Sequence, residues 1–317
     1  MSTISLTADA PTAPAIVSAR GVTHRYGRTP VLRGVDLEVP EGAVYALLGA
    51  NGAGKSTMLR VLAGIEPLQG GSATVAGVSV QKLSIADRQR LGYVAEGQKL
   101  PDWMRLEQLE AFCAPLYPLW DAGLAAYLRG RFALDSKQKL GTMSRGQRMK
   151  AALLCALAPR PQLLLMDEPF TGLDVAVKEE LIGGLLESAG AEGWSLVIAT
   201  HDVDEIERFV DHVGFLRDGV IGTAGSLETL RDALVRVELT FSNAADVPRS
   251  WPGAWRRFRP VEQAGLRVSA IVDRDSLATD PAFAAQASNR DERPLSLREM
   301  YMLFGAAQRH AGGGIPA

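Results

Sequence analysis

The sequence predicts an α/β protein with a core sheet built largely from buried parallel strands, followed by a smaller α+β unit. Three observations carry this. The runs at 43–48, 162–166 and 195–200 are continuously apolar, as strands covered on both faces require. Each run leads into glycine-rich or polar residues and then into helical patterning, the alternation that builds α/β domains. Beyond about Ser226 the pattern changes to short alternation, as in Arg236, Val237, Glu238, Leu239, Thr240 and Phe241.

The elements follow in order. Residues 1–15 are rich in Ser, Thr, Ala and Pro, carry Asp9 and lack a basic start, so they read as a mobile tail rather than a secretory signal. The first complete unit is a strand at 43–48, a glycine-rich turn at 49–54 and a helix at 55–62. A helix-rich stretch, 97–158, places Leu109, Phe112, Leu116, Tyr127 and Leu128 at spacings suited to buried helical faces, and reads as a subdomain inserted between core strands. Residues 226–317 form the accessory module, with a β unit at 235–272 and an amphipathic helix at 296–304. The resulting boundaries are 16–225 for the main domain and 226–317 for the module.

Composition narrows the classes of function. The chain has 317 residues, 47% hydrophobic and 22% charged, which suits a globular protein with a large core. A formal charge of −2 gives no basic field, so a nucleic-acid partner is not expected. No apolar run approaches the roughly 18 residues needed for a membrane-spanning helix. The two cysteines, Cys113 and Cys155, lie in apolar helical stretches and are expected to be buried free thiols.

The chemistry is concentrated in a few segments. Gly49-Ala50-Asn51-Gly52-Ala53-Gly54-Lys55-Ser56-Thr57 fits the phosphate-binding loop in full, and it lies between a buried strand and a helix, where such a loop must lie. Glycines let backbone N–H groups converge on a phosphate, and the helix N-terminus favours the anion. Lys55 is placed to reach the β- and γ-phosphates and Ser56 to ligate Mg²⁺. Leu163-Leu164-Leu165-Met166-Asp167-Glu168 is an apolar strand ending in two carboxylates at the sheet edge where α/β proteins bind ligands. Asp167 suits Mg²⁺, and Glu168 suits the attacking water. Without that strand, the Asp-Glu pair would read as a solvated turn.

Together these segments resemble the nucleotide-binding domains of ATP-binding cassette proteins, over about 16–225. Met143-Ser144-Arg145-Gly146-Gln147 resembles the family's signature, usually Leu-Ser-Gly-Gly-Gln, and Pro169-Phe170-Thr171-Gly172-Leu173-Asp174 is similar to its D-loop region. His201 matches the switch histidine, and Tyr26 in His24-Arg25-Tyr26-Gly27 matches the aromatic that stacks on adenine. The resemblance implies a P-loop NTPase cassette, with a mixed sheet core and an inserted helical subdomain. It also implies ATP hydrolysis with Glu168 and His201 catalytic and Ser56, Asp167 and Glu96 around Mg²⁺. ATP contacts are implied for Tyr26, Gly49, Asn51, Gly52, Gly54, Lys55, Ser56, Thr57, Ser144, Gly146, Gln147 and Asp174.

Bland alternatives stand beside these roles. Ser144 is a good N-cap, His201 could be a polar neighbour of a helix begun by Asp202-Val203-Asp204-Glu205, and Tyr26 could be an ordinary strand aromatic. His24 has no assigned role. Two departures from the family pattern bear on function: Glu96 stands where the Q-loop usually has Gln, with Gln98 nearby, and Arg145 replaces the signature's first Gly. Both resemble cassettes of drug and antibiotic exporters. The reading is therefore the ATPase of an exporter, on the cytoplasmic face of the membrane, with a separate permease and a second cassette bound head to tail. Trp103 and Met104, in the segment 96–105, would suit a coupling surface. The competing class is a soluble cassette ATPase acting on a macromolecular complex.

Overall fold

The computed structural model describes residues 14–248, 261–274 and 287–305. The expected tail at 1–15 and the glycine-rich C-terminal end lie almost entirely outside the described residues. The chain divides into two compact units between Ala224 and Gly225.

The first unit opens with an antiparallel sheet in which β1 (Ala15–Tyr26) pairs with β2 (Thr29–Pro40) and with β4 (Gly70–Val75), and β5 (Val78–Ser79) completes the order β2-β1-β4-β5. Between them in sequence lie β3 (Val44–Leu48) and α1 (Lys55–Leu62). After the short α2 (Ile85–Arg88) and β6 (Leu91–Val94) come the helices α3 (Leu106–Cys113), α4 (Ala122–Arg131) and α5 (Arg145–Leu157). The second sheet uses β7 (Leu163–Asp167), β8 (Ser195–Thr200), β9 (His212–Arg217) and β10 (Val220–Ser226), with α6 (Val175–Glu192) between β7 and β8. Its order is β10-β9-β3-β8-β7-β6.

Within it, β3 runs parallel to β8 and β9, and β7 runs parallel to β6 and β8. Every residue of β7 and of β8 is buried, which is why their sequences are apolar without alternation. One core joins the sheets: Val17, Val22 and Leu37 of the antiparallel sheet pack with Met58, Leu59 and Leu62 of α1 and with Leu47, Leu165 and Val197 of the parallel one.

The helical stretch differs from expectation in its faces. Leu109 and Leu128 are buried, but Phe112 is 60% exposed and Leu116 and Tyr127 are each 52% exposed. Spacing alone placed them on helices without saying which side the core occupies. Cys113 and Cys155 are free, as expected, yet half-buried rather than buried. Their thiols hydrogen-bond to each other, which pulls Cys113 down.

In the second unit, α7 (Leu227–Ala233) precedes β11 (Leu234–Thr240), which pairs antiparallel with β13 (Arg267–Asp273) and β14 (Asn289–Pro294); β12 (Glu262–Ala264) completes the order β12-β13-β11-β14. Val235, Val237, Leu239 and Phe241 pack with Val268, Ala270 and Val272, the alternation read from the sequence. The final helix, α8 (Leu297–Phe304), begins with a capping box between Ser296 and Glu299.

Glu299 is the polar hub of this unit. Arg293 donates to both of its carboxylate oxygens at 2.8 Å, and Arg236 Nε donates to Oε1 at 2.8 Å. The Arg293 hydrogen bonds, helped by the Ser296 N–H and the Arg236 charge and opposed by partial burial, hold the Glu299 carboxyl at about 2. A depressed carboxylate contributes stability above its unfolded value, and loses it as pH falls through the folded value. Protection of β11 and α8 amides from exchange should therefore be constant near neutrality and weaken as pH falls from about 4.5 towards 2. After screening, the contribution is on the order of 1–2 kcal/mol. Glu299→Gln should lower protection at pH 7 by that amount and flatten the acid dependence; an unchanged acid profile would contradict this linkage.

Candidate active site

The parallel sheet gathers the candidate residues at one edge. Leu48 of β3 is in register with Thr200 of β8, and Asp167 of β7 with Ala199. The glycine-rich loop, the Asp167-Glu168 pair and His201 therefore all leave the sheet side by side.

Gly49 begins the loop because nothing larger fits: a Cβ there would lie 2.3 Å from the Leu216 carbonyl oxygen. Gly54, at φ +108°, caps α1 in a conformation that side chains rarely adopt, and a Cβ would meet Leu32 at 2.8 Å. The loop wraps the Lys55 ammonium, which donates to Gly49 O at 2.8 Å and to Ala50 O at 3.3 Å and lies 3.1 Å from Glu168 Oε1. Ser56 Oγ donates to Asp167 Oδ1 at 3.0 Å, and Thr57 is buried in the same turn.

Asp167 and Glu168 are 1% and 6% exposed, an uncommon depth for two adjacent acids. Burial pushes the Asp167 carboxyl up; the Ser56 hydrogen bond opposes this, while the charges of Glu168 and Glu96 add to it. Burial also acts to raise Glu168, but the His201 hydrogen bond and the Lys55 charge outweigh it and hold the carboxyl below its ordinary value. The Glu168 backbone is in the left-handed region at φ +46° and its N–H donates to Ala199 O at 2.9 Å. That conformation, costly for a non-glycine residue, turns the side chain back over the sheet edge. There Oε2 accepts from Thr200 Oγ1 at 3.1 Å and from Thr171 Oγ1 at 3.3 Å.

His201 Nδ1 is 2.9 Å from both Glu168 oxygens, so the two catalytic candidates are one hydrogen-bonded pair. The helix expected to start at Asp202-Val203-Asp204-Glu205 does not form. That segment is a series of turns in which Ile206 N–H bonds Val203 O at 3.2 Å and Glu207 N–H bonds the same oxygen at 3.1 Å. Glu205 is drawn off to Lys178 of α6, and Asp202 N–H donates to Thr200 Oγ1. The capping-box spacing is present, but Glu205 bonds Lys178 and the Asp202 side chain, and the Asp202 N–H goes to Thr200.

Ser144 caps α5: its Oγ accepts from Gln147 N–H at 3.2 Å, and Gln147 Oε1 accepts from Ser144 N–H at 2.9 Å. Gly146 packs on α6, where a Cβ would meet Val177 at 2.9 Å. Arg145 lies over Gly172; a Cβ at Gly172 would meet Arg145 Nη1 at 2.5 Å. Asp174 Oδ1 accepts from Val177 N–H at 2.9 Å and so caps α6. Glu96 is exposed but close enough for Asp167 to feel its charge, whereas Gln98 folds back to accept from Ala95 N–H at 3.3 Å. Tyr26, 44% exposed, stands at the end of β1 and donates to Glu66 Oε1 at 3.1 Å.

Thr171, Thr200 and Arg60, whose charge reaches Asp167, belong to this arrangement and were not foreseen. Only Thr200, ending an apolar strand just before His201, left a signal that could have been read. The site as built combines an anion-binding loop, a buried acid paired with a hydroxyl, and an ionised carboxylate held by a histidine and a lysine, which defines a class: a nucleoside triphosphatase of the P-loop kind.

Comparison with known proteins narrows the class. The ABC transporter family model matches residues 32–171. The chain is 35% identical over 252 residues to the Fe(3+) ions import ATP-binding protein FbpC of Streptomyces coelicolor, covering 74% of this chain and 69% of that protein. It is 25% identical over 300 residues to the ABC transporter ATP-binding protein YtrB of Bacillus subtilis, covering 93% and 100% respectively. A solved ATP-binding subunit of an ABC transporter superposes with a TM-score of 0.63 at 26% identity, over 68% of this chain and 92% of that one. The chain belongs to the ABC transporter ATP-binding family: it is an ATP-binding subunit and an ATPase of the cassette fold.

Proposed function

We propose that this chain drives an exporter as one of two cassettes that bind Mg²⁺ and ATP between them, head to tail, on a separate permease at the cytoplasmic face of the membrane. The observation that carries the ATPase mechanism is the Lys55–Glu168–His201 cluster at the end of the anion-binding loop. Lys55 and the loop N–H groups hold the β- and γ-phosphates, Tyr26 stacks on the base, and Glu168 accepts the proton of the attacking water. His201 keeps Glu168 ionised and oriented. Lys55 cannot serve phosphate and Glu168 equally, so phosphate binding loosens their pair and leaves Glu168 directed at water.

Magnesium fits the donor set. It takes one or two protein carboxylates together with phosphate oxygens, and the adjoining Ser56 hydroxyl and buried Asp167 carboxylate, in the negative field of Glu96, offer such a set. Bound there, the ion would neutralise phosphate charge. Gln98 is turned back on its own loop, so Glu96, whose charge reaches Asp167, is the residue of that segment that would join the metal's surroundings. Ser144, Gly146, Gln147 and Asp174 serve the nucleotide held by the partner cassette, with the α5 N-terminus as an anion site.

Coupling to a permease is supported by Trp103, 71% exposed where a core role would have buried it. No helix among the described residues is long and apolar enough to cross a membrane; the separate permease is proposed from membership of the ABC transporter ATP-binding family. Export is read from Glu96 and Arg145. FbpC and the sulfate/thiosulfate and aliphatic sulfonate relatives are named for import, whereas YtrB, matched over 300 residues, carries no direction in its name. Affinity purification of the full chain from detergent-extracted membranes tests the assignment: a multispanning membrane protein should co-purify and stimulate ATP turnover. Recovery with a soluble macromolecular complex instead would favour the non-transport reading.

Arg145→Gly gives a further expectation. Its guanidinium covers Gly172 and lies at the α5 N-terminus, so the substitution should change ATP-driven dimerisation severalfold, read by analytical ultracentrifugation, while ATP affinity of the monomer stays the same. Unaltered dimerisation would make Arg145 a surface cation only.

A further inference from the structure

His24 has no place in the chemistry so far, yet it is 2% exposed and lies directly beside Tyr26. It shares a face of β1 with Tyr26, and the two rings meet nearly edge to face, with centroids 4.8 Å apart and planes at 69°. Nδ1 is 3.2 Å from the Pro67 carbonyl oxygen, which can only accept, so Nδ1 carries the proton. The other ring nitrogen, Nε2, makes no hydrogen bond and faces Glu66 Oε2 at 3.9 Å. The second oxygen of the same carboxylate accepts the Tyr26 hydroxyl at 3.1 Å. The Arg60 guanidinium also lies beside that hydroxyl. A surface tyrosine needs none of this; here its ring is held at its side by His24 and at its hydroxyl by Glu66.

We infer that His24 and Glu66 are positioning residues for the nucleobase, fixing the plane of Tyr26 so that a planar base stacks on it without first ordering the ring. The inference rests on the reading of Tyr26 as the base-stacking residue. The side-chain contacts of His24 and Glu66 are with Pro67, Tyr26 and each other, not with the loop at 49–57, Asp167 or Glu168. Their loss therefore weakens binding of a nucleotide and leaves binding of a bare polyphosphate unchanged, which a general structural defect would not do.

The test uses the full chain, with ATP and inorganic tripolyphosphate each displacing a fluorescent ATP analogue, alongside steady-state hydrolysis. Tyr26→Ala should lower ATP affinity about tenfold. His24→Ala and Glu66→Ala should each raise the KM for ATP about three- to tenfold with kcat unchanged, and leave tripolyphosphate affinity the same. Glu66→Gln should restore most of the loss, because the amide still accepts from Tyr26 and can donate to Nε2. Since His24 is buried and its replacement could impair folding, the half-exposed Glu66 keeps the test decisive. If Tyr26→Ala weakens ATP binding but neither Glu66→Ala nor a folded His24→Ala does, the inference fails and the base-stacking reading stands. Equal losses for ATP and tripolyphosphate reduce both residues to structural ones and also overturn it. If Tyr26→Ala itself has no effect, the base-stacking reading fails and takes the inference with it.

Discussion

Glu168→Gln should lower ATP turnover by about 10²- to 10⁴-fold, the usual contribution of a positioned general base, while ATP affinity changes by no more than a few-fold. The amide keeps the shape of the carboxylate and can still accept from Thr200 and Thr171, so the sheet edge stays in place. What disappears is the negative charge that His201 and Lys55 hold ionised. Lys55, no longer paired with a carboxylate at 3.1 Å, is free for phosphate, so ATP should be retained and dimers should accumulate. Single-turnover hydrolysis and size-exclusion chromatography with ATP measure both effects. Turnover at the wild-type rate would remove Glu168 from its catalytic role.

Lys55→Ala should act on the opposite side of the same pair, weakening ATP binding by about 10- to 100-fold, since charge-assisted hydrogen bonds are worth roughly 1.5–3 kcal/mol. The Lys55 side chain is 5% exposed, and no residue among its hydrogen-bond partners could replace it. Isothermal titration with ATP separates the two variants: Lys55→Ala loses affinity, and Glu168→Gln loses turnover. Equal affinity in the two proteins would contradict the phosphate-loop assignment. A thermal melt of each variant guards against reading a folding defect as a binding one.

Much of this site could be read from sequence because its parts are contiguous. A glycine loop between a buried strand and a helix is a local pattern, and the helix expected at 55–62 forms over those same residues. The strand at 195–200 likewise ends where its apolar run ends. What depends on register was not readable. Nothing in the spacing of Glu168 and His201 says that Asp167 pairs with Ala199, so their hydrogen bond emerges only when β7 and β8 lie side by side. The turns after His201 show the same limit from another side: Glu205 satisfied the capping pattern but had a distant lysine as its partner. Phe112 and Tyr127 show that periodicity places a residue on a helix without naming the side that meets the core. The sequence around His24 carries no signal of its role, because its partners, Pro67 and Glu66, lie more than forty residues further along the chain.

The contact between Arg145 and Gly172 has a consequence for a head-to-tail pair. On the proposed reading, Gly172 follows Glu168 in the loop that would attend the chain's own nucleotide, while Arg145 opens the helix that would attend the partner's. One guanidinium resting on one bare glycine would therefore join the two duties within a single subunit, and any side chain at position 172 would have to push it aside. In that proposed pair, a change in one pocket would have a short route to the other that does not cross the interface between subunits. In such an assembly the two nucleotides would be timed against each other by each chain from within.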